Sequence, residues 1–229
     1  HFLQLQVINE TTKLPASGPD PRLVANPEIL KSFSLGFDRV LADLAWLTFV
    51  QYYGDRTAVV DERLRYAPDY LKIVVALDPH FIRPYWFAAF VLAGDLNRQK
   101  EAEEFLDLGI RNNPTEWSLA FIAGFNQALY TKDYKKAATY YRHAASMPKA
   151  PSWLASQAEI MEANIPGQIK EIRTWERMYK EGDPMVQEKA RDTLQRLWSK
   201  VYWDAPTQVI KDRAKDKLEF YQVKLLPKG

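Results

Sequence analysis

Apolar residues recur along this chain at helical spacing, in blocks closed off by proline, glycine or asparagine. The clearest block runs over 85–114. Its first half, Tyr85-Trp86-Phe87-Ala88-Ala89-Phe90-Val91-Leu92-Ala93, is apolar nearly all round, which predicts a helix packed on two sides. Gly94-Asp95-Leu96-Asn97 supplies turn residues, with Asn97 as the expected N-cap of a second helix. In that helix Ala102, Leu106 and Gly109 share one stripe, and Glu101, Glu103, Glu104 and Asp107 lie on other faces. Asn112-Asn113-Pro114 ends it. Ala102 is predicted to sit where the two helices touch, Trp86 to fill the space between them, and Glu103 to face outward.

The same order of small, large, small and proline returns along the chain. Ala137, Tyr141, Ala144 and Pro148 repeat it with the proline one residue early; Ala67, Leu71, Val74 and Pro79 repeat it with the proline one residue late. The prolines Pro79, Pro114, Pro148 and Pro184 are 35, 34 and 36 residues apart, a period that implies stacked helix–turn–helix units. A first strong helix is predicted over 35–53, and 56–66 reads as another helix or a long connection. Helices over 117–130 and 133–147 form the next pair, with Lys132-Asp133 as its turn. Pro151-Ser152 opens a helix over 153–163, which Pro166-Gly167 breaks, and Ile169, Ile172 and Trp175 mark its partner. Val186, Ala190, Leu194, Leu197 and Val201 are spaced 4, 4, 3, 4, and Ile210, Ala214, Leu218, Tyr221 and Leu225 repeat that spacing. The last stripe carries Lys211, Asp212, Arg213, Lys215, Asp216 and Lys217 on its other faces, the polar outer surface that a terminal capping helix needs.

Residues 1–33 hold four prolines and read as an extended lead-in. Phe2, Leu3, Leu5, Val7 and Ile8 within it suit either the stub of a membrane anchor or a segment that docks on the first helices. The organisation that follows is a lead-in over 1–33 and a helical domain over 34–229, with units at about 35–79, 80–114, 115–148 and 149–184 and capping helices over 185–229. The 14 prolines against 9 glycines agree with helices punctuated at their ends, and a net charge of +2 gives no ground for nucleic-acid binding. With no cysteine there is neither a disulfide nor a thiolate.

Trp86, Ala102, Leu106, Gly109 and Pro114, followed by Gly124, Tyr134, Ala137, Tyr141, Ala144 and Pro148, resemble the tetratricopeptide-repeat family. Two departures stand out. Phe90 occupies a position where the family usually has a small residue, and the helix beginning at Trp117 is one residue long, which shifts Gly124 out of register. The resemblance implies an all-α, right-handed α-solenoid of helical hairpins whose first helices line a groove for a protein or peptide partner. In the family register that groove would hold Phe87, Val91, Asn126 and Tyr130. The stretch 35–47, with Gln51-Tyr52-Tyr53-Gly54-Asp55 after it, is similar to a bacterial subgroup that holds its repeats outside the cytoplasm on a short N-terminal anchor. That likeness implies an extracytoplasmic place, an anchor upstream of residue 1, and a partner that is a subunit of a membrane complex; a cytoplasmic place is the alternative.

Catalysis has little to build on. The histidines, His1, His80 and His143, lack metal-ligand spacing, and there is no nucleophile elbow or phosphate-binding glycine loop. The expectation is therefore a protein without catalytic residues, metal or cofactor, acting as an interaction scaffold or assembly factor. The alternative is a solenoid that binds a small molecule or lipid.

Overall fold

The computed structural model describes residue 31 and residues 34–54 and 64–228. Most of the lead-in and most of the 56–66 segment lie outside these residues. Among the described residues there are ten α-helices and no strand. They are α1 (Asp38–Gly54), α2 (Ala67–Leu77), α3 (Ile82–Ala88), α4 (Gln99–Asn112), α5 (Trp117–Asn126), α6 (Tyr134–Ala145), α7 (Trp153–Glu162), α8 (Gly167–Glu181), α9 (Pro184–Asp204) and α10 (Gln208–Phe220). Packing runs mainly between neighbours in the chain, and one continuous apolar core threads from α1 to α10.

The small residues of the repeat pattern sit where helices touch. Ala102, Ala137 and Ala144 are fully buried. A Cβ at Gly109 would come within 2.8 Å of the Tyr85 ring, so glycine there is what lets α4 lie against α3. Tyr85 then reaches past α4: its hydroxyl donates to the Pro79 carbonyl (3.0 Å) and accepts from the Asn112 amide (3.2 Å). Asn113 donates to the same Pro79 carbonyl (3.0 Å) and to that of Gly109 (3.1 Å). The end of one unit is thereby tied to the end of the next, with carbonyls that proline and the helix terminus leave free.

The extra residue of the helix beginning at Trp117 has a physical outlet. Both α3 and α5 run straight on into π-helical turns, Ala89–Asp95 and Gln127–Thr131, where each hydrogen-bonded ring takes in one more residue. Asn97 and Lys132 follow these turns with φ near +57° and +58°, so both helices end through a left-handed residue. Asn97 thus closes a turn and does not cap α4, whose N-cap is Arg98 without a side-chain bond. Lys132-Asp133 is the expected turn, and the Asp133 side chain accepts from the Lys136 amide (2.9 Å) to start α6. Trp86 packs on Phe121 and donates to Ser118 Oγ (3.4 Å), joining α3 to the next pair.

Glu103 is no bland outward residue. Its carboxylate accepts from the amide of Gln127 (2.8 Å) and from Lys136, linking α4 to the end of α5 and the start of α6. Burial opposes its charge, but those two bonds outweigh it and hold the carboxyl below the ordinary carboxylate range. Gln127 is buried, and Glu103→Ala would leave its amide without an acceptor. The expected cost is about 1–2 kcal/mol at neutral pH by urea unfolding. Because the folded carboxyl titrates below its unfolded value, its contribution is complete above the ordinary carboxylate pKa and disappears as pH falls through the folded one. The gap between parent and Glu103→Gln should therefore close in acid; a gap independent of pH would rule out the charge as its source.

Candidate functional site

The expected groove is not open at the residues assigned to it. Phe87, Val91 and Asn126 are buried, and only Tyr130 keeps part of its surface. Long-range packing is the reason. Trp46, Phe49 and Tyr53 of α1 lie on Phe87, with ring centres 5.1, 5.8 and 6.2 Å away. From the other end of the chain, Trp175 of α8 meets Phe125 at 5.2 Å and Lys189 of α9 stands over Phe90 at 5.3 Å. Arg83, in the first turn of α3, is joined to Asp183 at 2.6 Å. The chain thus covers the face of its own first helices.

These segments meet at Asp95, the last residue of the first π-helical turn. Its carboxylate accepts from the Tyr53 hydroxyl (2.6 Å) and pairs with Lys189 (3.3 Å). The Tyr130 hydroxyl lies against Gly94, where a Cβ would stand 2.8 Å from it. Burial, with the negative charge of Asp95 beside it, pushes the Tyr130 phenol well above its ordinary range, so it stays protonated. A phenol held protonated in this way is not an activated nucleophile near neutral pH. The cluster is a tie between α1, the ends of α3 and α5, and α9. Asn126 is a different matter: it is fully buried, and neither its amide oxygen nor its nitrogen has a hydrogen-bond partner.

The exposed apolar surface lies elsewhere. On α1 and just before it, Phe37, Val40, Leu44 and Leu47 are 64%, 53%, 55% and 57% exposed, with Leu35 beside them. Their 3-4-3 spacing places them on one face, in the pattern of a helix–helix seam. The opposite face carries Ala42 and Phe49, both fully buried. α1 thus has a buried and an exposed apolar face, with Arg39 and Asp43 exposed on the flank between them. The sequence signal was present in full; what the pattern alone lacks is which of the two faces the rest of the chain uses.

No metal-ligating cluster of three or more His, Asp or Glu side chains occurs among the described residues, and none of their helices is long and apolar enough to cross a membrane. Comparison with family models, curated proteins and solved structures finds no match for this chain.

Proposed function

We propose that this protein is a non-catalytic interaction scaffold, a right-handed α-solenoid of tetratricopeptide-like pairs, whose N-terminal end takes a helix of a partner protein. The observation that carries this reading is the uncovered apolar face of α1. Terminal units of helical arrays need a polar outer surface, and α10 has one over Asp212, Arg213, Lys215 and Asp216, between the exposed Val209 and Phe220 near its two ends. α1 does not. An apolar row at 3-4-3 spacing suits an amphipathic partner helix, with Phe37, Leu44 and Leu47 as anchors. The buried aromatic packing over Phe87 supports a binding surface at the end of the array in preference to the first-helix groove.

A photo-reactive phenylalanine analogue placed at Val40 or Leu47 of the full-length chain tests this directly. Cross-linking to a partner protein at both sites, and not from the outer position Glu104, is the expected outcome. Leu44→Glu should abolish the adduct while moving the melting temperature by no more than a few degrees, as surface substitutions do. Cross-links only to residues 1–30 of the same chain, or only to a second copy, would overturn the partner reading.

A further inference from the structure

Helices α7 and α8 are consecutive and antiparallel, yet they meet over only a short length. The opening between them is a pocket of about 560 Å³ lined by Gln157, Ile160, Ile165, Ile169, Arg173, Glu176, Arg177 and Lys180. That volume lies within the range of small-molecule sites. Both ends of the opening are fixed. At the turn, the buried Lys170 donates from Nζ to the Met161 carbonyl (2.6 Å), pinning α8 to the C-terminal end of α7. At the far end, the Arg177 guanidinium stacks over the Trp153 ring at 4.2 Å.

The lining is divided. Ile160, Ile165 and Ile169 form an apolar half at the turn, and Ile169 is among the exposed large hydrophobic residues of the molecule. Arg173, Arg177 and Lys180 follow along the same face of α8, and the stripe from Ile169 to Lys180 spans about 16 Å at the helical rise. Glu176, the acid in the lining, pairs with Arg173 of its own helix (3.3 Å) and with Lys217 of α10 (2.8 Å) and accepts from the Tyr221 hydroxyl (3.2 Å), while Arg177 pairs with Glu181 (3.5 Å). With Lys180 beside them, the cations at this end of the pocket outnumber the carboxylates. Between the halves lies Gln157, buried, with its amide nitrogen unpartnered; it sits beside the Tyr141 hydroxyl without hydrogen-bonding geometry.

We propose that this pocket binds a small amphiphile with an apolar chain and a terminal carboxylate, of the medium-chain acyl class. The chain lies on Ile160, Ile165 and Ile169, and the carboxylate reaches Arg173, Arg177 and Lys180, where a planar anion can accept two parallel hydrogen bonds from a guanidinium. Nothing in this rests on the face of α1.

The test is a titration of the full chain with decanoate, followed by the isoleucine methyl resonances in NMR. Ile160, Ile165 and Ile169 should shift saturably, and decanol and decyltrimethylammonium should bind at least tenfold more weakly. Arg173→Ala/Lys180→Ala removes two exposed cations and leaves Glu176 its pair with Lys217; it should move the melting temperature by no more than a few degrees and weaken decanoate at least tenfold. The proposal fails if millimolar decanoate produces no saturable shift, if decanol binds as well, or if the double variant binds like the parent. A shift seen only with phosphatidylglycerol vesicles would equally overturn it, marking the hairpin as a membrane-surface contact.

Discussion

Phe87→Ala is expected to cost about 3–5 kcal/mol of stability, the usual loss when a buried phenylalanine leaves a cavity. For a chain of 229 residues that corresponds to a fall in melting temperature of roughly 10 °C or more. Phe87 is 5% exposed and receives Trp46 and Phe49 edge-on, with Tyr53 beside them. Removing the ring takes a partner from three aromatic residues of α1 at once, so the loss should include the detachment of that helix from α3. Hydrogen exchange would show it: amides of α1 should lose protection before those of α5 and α6. A variant that keeps its melting temperature would mean that Phe87 does not hold α1, and the first-helix groove would again be a candidate surface.

That outcome turns on a distinction the sequence does not carry. Which residues are apolar, and at what period, was legible: the prolines at 79, 114 and 148 stand in turns, Pro184 stands at a helix boundary, and the alanines at 102, 137 and 144 stand at close contacts. The turn at Lys132-Asp133 was legible too, whereas Asp183-Pro184, read only as a stop, also caps and opens α9. Whether an apolar first-helix residue faces a groove or another helix depends on contacts from far along the chain. Asp95 with Lys189, and Arg83 with Asp183, join segments 94 and 100 residues apart, and neither pair belongs to the repeat pattern. The same blindness hid the open face of α1, because period alone gives a row of leucines the same reading whether it is covered or bare. Gln157 and Asn126 were equally silent, because an unpartnered amide is a fact about neighbours and not about composition.

The displaced glycine of the third unit yields the second large effect. Gly109 and Gly124 both make room for a tyrosine, but from opposite sides of their pairs: Tyr85 of α3 lies on Gly109 of α4, whereas Tyr141 of α6 lies on Gly124 of α5. A Cβ at Gly124 would stand 2.6 and 2.7 Å from atoms of the Tyr141 ring and 3.1 Å from the Ala137 carbonyl. Neither neighbour can yield easily, since Tyr141 is fully buried between Phe121 and the core and the Ala137 carbonyl belongs to the helix itself. Alanine in place of glycine inside a helix is ordinarily worth about 1 kcal/mol in its favour. Here the clash should reverse that sign and give a net loss of about 3 kcal/mol, at the upper end of over-packing. Tyr141→Phe separates ring from hydroxyl: the hydroxyl is buried without a partner, so its removal should be neutral or stabilising. Combining Gly124→Ala with Tyr141→Leu gives a double-mutant cycle in which the two losses fall short of adding, because the smaller side chain vacates the space that the new methyl needs. Strict additivity, or a Gly124→Ala variant more stable than the parent, would mean that α5 and α6 do not approach each other through this glycine.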